Sequence, residues 1–260
     1  MDRQLLKGYL VCGNPMAENP EVKGGEDMEN ISAELKQLLI GQGAALVGFG
    51  DISELVKDND MKYGVSVVVR MTPDIVKGIE NGPTEKYYLE YKRLNSLLDS
   101  LVISGAAFLE AKGFKAVAQT TASVRELDNY RTLLPHKSFA TRAGIGWIGK
   151  CALLVTEEYG SAIRISSILT NAPLNAAEPI NYSKCSSCMV CVNACPAGAA
   201  SGDEWSVTKD RDEFFDPVLC RTQARIRAAK IGIEETMCGK CIQVCPYTQL
   251  YINKLSETVI

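Results

Sequence analysis

The chain has 260 residues, of which 46% are hydrophobic and 23% charged, and its 28 Lys and Arg against 31 Asp and Glu leave a formal charge of -3. That length suffices for one or two domains with a buried core, and the composition excludes a disordered or fibrous chain. No basic block could neutralise a row of phosphates, and the longest uncharged apolar run near the middle, from Leu101 to Leu109, is far shorter than a bilayer span needs.

The first sixteen residues, MDRQLLKGYLVCGNPM, lack the long apolar core of a signal peptide, which places the protein in the cytoplasm and off the membrane. Cys12 stands alone and reads as a packing thiol. Apolar spacing predicts a helix over 31–40, interrupted by Gly41 and Gly43, then strands over 44–49 and 65–69. Tyr87, Tyr91, Leu94, Leu98, Leu101, Gly105 and Phe108 recur every three or four residues, one apolar stripe along a long helix that ends near Gly113. Core packing accounts for that stripe better than a cofactor surface does. Strands are expected over 114–119, 152–156 and 162–169, and the mixture predicts an α+β layer structure whose sheet is covered by helices. His136, the one histidine, follows Pro135 at a helix start and reads as a capping or surface residue. Residues 171–182, NAPLNAAEPINY, carry two prolines and no periodicity, as a connection would.

Of ten cysteines, Cys12 and Cys151 are isolated and eight lie in the last third. Cys185, Cys188, Cys191, Cys195 and Pro196 form C-x2-C-x2-C-x3-C-P, the bacterial ferredoxin run in which three thiolates hold one 4Fe-4S cube and the fourth serves another. Cys220, Cys238, Cys241, Cys245 and Pro246 form the second half. Crossed ligation gives one cube Cys185, Cys188, Cys191 and Cys245, and the other Cys195, Cys220, Cys238 and Cys241. The proline after each last cysteine is expected to stop a local helix. Two structural zinc sites are the alternative, since zinc also uses C-x2-C knuckles, but they do not share ligands in this crossed pattern.

The most distinctive earlier segment is ATRAGIGWIGKCALLVT at 140–156, followed by Tyr159, Gly160 and Ser161. Glycines around Trp147 let backbone approach a large flat ligand, or else build a tight helix-to-strand corner. Gly144, Gly146 and Gly149 do not follow a strand and open a helix, so no dinucleotide site is read there.

With A-G-x-G-W-x-G-K, a later G-S pair and two cluster motifs in that order, the chain resembles the epoxyqueuosine reductase family, which is related to the reductive dehalogenases. The resemblance implies a nitroreductase-like, cobalamin-binding α+β domain over 1–175 and a two-cluster ferredoxin-like domain over 176–260. It implies that Arg142, Gly146, Trp147, Gly149, Lys150 and Ser161 lie near the corrinoid. Family members carry a proton-donating Asp upstream of this motif; in LDNYRTLLPHKS Tyr130 falls at that place, and Asp128 does so after a small register shift. The tRNA-modifying members continue into a helical-repeat region, whereas this chain stops fifteen residues after Cys245. With the charge of -3, this predicts no tRNA binding. The expected function is corrinoid-dependent reduction of a small molecule, with electrons from a ferredoxin or flavodoxin. A non-catalytic electron-transfer or activator protein for a corrinoid or flavin partner is the alternative, and FMN the lesser candidate cofactor.

Overall fold

A computed structural model describes residues 25–57 and 59–257, so Cys12 lies outside the described residues. The first helix, Gly25–Gly41, buries Ile31, Leu35 and Leu39, four apart on one face. Gly43, at φ +110, turns the chain into β1 (Leu46–Asp51), which pairs antiparallel with β2 (Tyr63–Arg70) in the register Leu46 to Val68. Every β2 residue between its ends is buried, as its run of β-branched side chains requires.

A short helix, Pro73–Lys77, with Pro at its start, precedes the long helix Glu85–Ala111. The long helix buries Tyr87, Leu94, Leu98, Leu101, Val102 and Leu109. Phe108 is only half-buried, because 3.6 residues per turn carries the stripe on to Leu109. By length and composition this helix could cross a bilayer, but its apolar stripe is buried within the protein. Gly113, at φ +88, follows its end, and Phe114 N–H donates back to the Leu109 carbonyl at 3.1 Å.

β3 (Ala116–Gln119) pairs antiparallel with β6 (Ile163–Thr170), Ala116 opposite Thr170, and the four-stranded sheet runs β1-β2-β6-β3. A Cβ on Gly105 would stand 2.6 Å from Ile168 Cδ1, so a glycine is what lets the long helix lie close against β6. The strand expected over 152–156 shortens to β5 (Leu154–Val155), which pairs with β4 (Trp147–Ile148) in a separate ribbon. The reason is local: Ala152, at φ +58, closes the turn between the two with its N–H on Gly149 O at 2.8 Å.

The chain divides into two compact units. The first holds the described residues up to Val69, then Ser96–Ile145 and Ile165–Ile180. The second holds Arg70–Asn95, Gly146–Arg164 and the described residues from Asn181 onward. Residues 171–180 are tied into the first unit, where Ala177 N–H donates to Phe49 O at 2.9 Å and Ile180 N–H to Thr141 O at 2.8 Å.

Candidate iron-sulfur centre

All eight clustered cysteines belong to the second unit. Cys185 and Cys188 sit on one turn, with Cys188 N–H donating to Cys185 O at 3.0 Å. Within that turn Ser186 adopts φ +49, uncommon for a residue with a side chain. Its carbonyl accepts from Lys150 Nζ at 2.7 Å, and Lys150 is itself buried. Cys191 lies on the one-turn helix Val190–Asn193, and Cys195 follows, its Sγ accepting from Ala199 N–H at 3.5 Å. Such N–H···S contacts stabilise negative charge on sulfur.

Cys220 rides on the helix Pro217–Ala229, whose Asp216 cap accepts from the Val218 and Leu219 N–H groups at 2.8 and 2.9 Å. Cys241 lies on Lys240–Val244, and Gly239 before it suits glycine twice over, with a left-handed φ of +77 and a Cβ position 2.6 Å from Ile79 Cδ1. Cys245 ends that helix. Pro246 stops that helix, holding Cys245 in the extended backbone that precedes a proline, and also opens the next one, Pro246–Glu257, because a first-turn position needs no backbone N–H.

These thiols gather around two cavities. One, of about 220 Å³, is lined by Cys185, Cys188, Cys191 and Cys245 together with Gly149, Lys150, Cys151 and Lys184. The other is lined by Cys195, Cys220, Cys238 and Cys241, again with Cys151 and Cys191 on its wall. Among the described residues no three such side chains converge on a point as a single ion would require. Four thiols around a space is the donor set of a cube, in which each thiolate meets a different iron. Burial pushes the Cys220 thiol up to about 11 and raises that of Cys245, so cluster assembly must displace protons from these sulfurs. Lys150 and Lys184 supply positive charge beside the anionic group such a cavity would hold.

The glycine-rich corner has strong packing reasons of its own. A Cβ on Gly146 would stand 2.2 Å from the Val155 carbonyl oxygen, and one on Gly149 would meet Val155 Cγ2 at 3.0 Å and Cys185 Sγ at 3.5 Å. Trp147 is fully buried, edge-on to Tyr247 at 5.0 Å, and Lys184 Nζ lies 5.4 Å from its ring centre. Gly160 adopts φ +57, and Ser161 N–H donates to Thr248 Oγ1 at 3.1 Å. Trp147 Nε1 and Ser161 Oγ are both buried with no hydrogen-bond partner among the described residues.

The other expected residues lie in the first unit. Arg142 ends the helix His136–Arg142 and donates from Nη2 to Ile180 O at 3.1 Å, with Glu54 at 3.9 Å. Asp128 is exposed and Tyr130 half-buried on a 3-10 turn, where Asn129 and Tyr130 both take left-handed φ, 55 and 56. His136 Nδ1 lies 3.0 Å from Ser167 Oγ. Sequence reasoning missed two participants, Lys184 on one cavity wall and Thr248 under Ser161, and favoured small buried packing over a cofactor contact for Cys151, which lies on both walls. No spacing rule marks them, since each is brought there by tertiary folding.

Residues 184–248 match the family described as 4Fe-4S double cluster binding domain. Among curated proteins, the chain is 33% identical over 120 residues to the epoxyqueuosine reductase of Listeria monocytogenes, covering 42% of this chain and 28% of that one. It is 38% identical over 119 residues to that of a Synechococcus species, covering 45% and 36%. The match thus spans about a third of the length of these relatives. A reductive dehalogenase whose structure suggests a mechanism for B12-dependent dehalogenation superposes with TM-score 0.67 at 18% identity, over 98% of this chain and 38% of its own. An epoxyqueuosine reductase solved with a tRNA-Tyr epoxyqueuosine-modified stem loop superposes with TM-score 0.56 at 19% identity, over 85% and 66%.

The last comparison overturns the expectation of no tRNA contact: a protein of this fold holds a tRNA stem loop. Whole-chain charge was the wrong quantity, because RNA contact depends on a local field and on shape, which a net charge of -3 averages away. The mixed α/β chain therefore carries a 4Fe-4S binding domain of the double-cluster kind and resembles epoxyqueuosine reductases and reductive dehalogenases.

Proposed function

We propose that the protein is an iron-sulfur, corrinoid-dependent oxidoreductase of the cytoplasm, in which two 4Fe-4S clusters feed electrons to a bound cobalamin. The observation that carries this reading is the pair of cysteine-lined cavities in one compact unit, each with the four thiols that the crossed assignment gives one cube. In the proposed division, residues 176–260 hold the cubes and a nitroreductase-like part within 1–175 holds the corrinoid. When bound, the cubes supply one-electron transfer and the corrinoid a reducible cobalt.

The chain's own residues have definable tasks. Lys150 pins the strained Ser186 turn and sets a positive charge beside the first cube. Ser161 Oγ, buried and without a partner among the described residues, is a polar atom of the kind that an amide-fringed corrinoid can satisfy. Gly146 and Trp147 hold the corner whether or not a corrinoid is bound, so Ser161 is the more diagnostic residue. Asp128 or Tyr130 would supply the proton, from a turn held in sparsely populated backbone geometry. The two kinds of relative differ in substrate, a modified tRNA stem loop on one side and a dehalogenation on the other, so what carries over is the reductive machinery.

The test is anaerobic reconstitution, metal and sulfide analysis, then titration of cob(II)alamin followed by electron paramagnetic resonance. About eight irons per chain and a changed cobalt signal are expected. His136→Ala should leave that cobalt signal alone, its ring being engaged with Ser167. Eight irons with no change at cobalt would favour an electron-transfer protein, a bound flavin spectrum would favour FMN, and stoichiometric zinc without iron would end the cluster reading.

A further inference from the structure

The helix Pro217–Ala229 has two unlike sides. On one, Cys220 and Gln223 stand on the wall of the second cavity, and the small buried residues Ala224 and Ala228 let the helix lie close against its own unit. On the other, Val218, Leu219 and Ile226 are 50%, 49% and 49% exposed, three large aliphatic side chains gathered on one helix face. From Pro217 to Ile233 the sequence holds Arg221, Arg225, Arg227 and Lys230 and no Asp or Glu. Arg227 is turned back, with Nη2 donating to Asn81 O at 3.0 Å, whereas Arg225 and Lys230 are exposed and form no ion pair among the described residues. Both flank the aliphatic patch at 100° per residue. Asp216, the carboxylate just before the helix, is taken up by the Val218 and Leu219 N–H groups.

We propose that this face is the docking surface for an acidic, low-potential one-electron carrier protein, which delivers electrons through the helix to the second cube. The inference rests on the two-cube reading above and names the partner of that cube. A chain of net charge -3 repels an acidic protein over most of its surface, so a positive face around an apolar centre both admits the carrier and orients it. Electron-transfer encounters bury little area, and one helix face is enough for them. The helix is about 10–12 Å across with its side chains, so a carrier seated on Ile226 and Leu219 is one helix width from the cavity that Cys220 lines. In the step itself one electron leaves the carrier's reduced centre and arrives on the oxidised cube, and no bond forms or breaks. A second copy of this chain would set like charges against each other here. An RNA would call for a row of cations or a stacking ring, where this face offers two cations and three aliphatic side chains.

The experiment is stopped-flow reduction of the reconstituted protein, followed by bleaching of its cluster absorbance. Two probes are used in turn, a reduced plant-type 2Fe-2S ferredoxin and flavodoxin hydroquinone, with dithionite as a reductant that needs no docking. Iron near eight and complete bleaching by dithionite secure the two-cube reading separately; their absence would fail that reading and not the docking surface. At least one carrier should reduce the wild type at a rate that falls as salt rises. The double variant Arg225→Glu, Lys230→Glu should slow that rate at least about tenfold at low salt, and Ile226→Ser should raise the half-saturating carrier concentration several-fold. Both should keep their iron and bleach fully with dithionite, and Arg225→Lys with Lys230→Arg should behave as wild type. Charge-reversed protein reduced as fast as wild type would overturn the proposal, and so would a wild type that dithionite bleaches but neither carrier reduces. With carrier kinetics unmoved, loss of a dimer in Ile226→Ser by sedimentation would assign the face to a second copy, and loss of RNA hairpin binding in the charge-reversed variant would assign it to RNA. Should charge reversal cost iron, the wild type decides alone: a carrier rate indifferent to salt defeats the proposal.

Discussion

Gly160 and Thr248 touch so closely that a Cβ on the glycine would stand 2.2 Å from the threonine backbone nitrogen, while Thr248 Oγ1 accepts from the neighbouring Ser161 N–H at 3.1 Å. The Gly-Ser pair is thereby locked to the helix that begins immediately after Cys245. Gly160→Ala must both push Thr248 away and hold a side chain at φ +57. Left-handed backbone costs about 1–2 kcal/mol and overpacking about 1–3. A loss of about 2–5 kcal/mol, visible as a melting temperature lower by roughly 10 °C, is expected. The variant should also lose iron from the Cys245 side, whereas Thr248→Ser, which keeps the hydroxyl, should melt near wild type. An unchanged melt for Gly160→Ala would mean that the close approach does not exist in solution.

The crossing of ligands makes the two ends of the cysteine region interdependent. Cys245→Ala should damage the cube built mainly from Cys185, Cys188 and Cys191, and Cys195→Ala the one built from Cys220, Cys238 and Cys241. Each single variant is expected to retain one full cluster signal, more than half the iron and a weaker, altered second signal. If Cys195→Ala spares the second cube and damages the first, the pairing is sequential and not crossed.

Much of this arrangement can be read from residue order alone, and the reasons differ by residue. The helix carrying Leu94, Leu98 and Leu101 shows in its period, because one apolar face must be buried. The eight cysteines show because cube ligation constrains local spacing. Pro246 shows half of its part: it ends the helix that carries Cys241, as the spacing predicts, and in the same place it starts the next, because the first helical position needs no backbone N–H. Gly146 fits a tight corner better than a ligand surface when the glycines are taken alone, and the facing Val155 carbonyl bears the corner out. Cys151 is invisible to spacing rules, since a turn 34 residues before Cys185 brings it to both cavities.

Lys150 combines charge with a hydrogen bond, and two substitutions separate them. Lys150→Gln removes the charge but keeps a donor for Ser186 O, while Lys150→Met removes both. Unit charges several ångströms apart at an effective dielectric of about 20 interact by a few kcal/mol. Both variants should therefore lower the potential of the first cube, by an amount on the order of 100 mV. Only Lys150→Met should also retain iron poorly, because the strained Ser186 turn loses its pin. Equal potentials in wild type and Lys150→Gln would show that the lysine acts through geometry alone.

The final prediction concerns acid stability and rests on Glu90, a buried carboxylate in the same compact unit as the cysteines. Burial alone would raise its pKa, but hydrogen bonds from Arg93 and Thr72 outweigh burial and hold it below the usual glutamate range. Arg93 Nε lies 2.8 Å from Oε2, and the Thr72 hydroxyl and N–H lie 2.8 and 3.1 Å from Oε1. Thr72 starts the helix Pro73–Lys77, and the carbonyl of Met71 just before it accepts from Tyr251 on the helix that follows Cys245. A depressed carboxylate pKa means that the unfolded chain takes up a proton first as pH falls. The stabilisation is therefore fully present above the unfolded value of about 4.3 and is lost as pH drops through the lower, folded value. Glu90→Gln keeps the shape without the charge and should cost about 1–3 kcal/mol at pH 7, the scale of hydrogen bonds to a charged group. Thermal melts across pH 3 to 7 should then show wild type falling toward the variant below about pH 4, because a protonated glutamate and a glutamine are near equivalents in shape and charge. A gap that persisted undiminished at pH 3 would show that packing around Glu90, and not its charge, holds this segment in place.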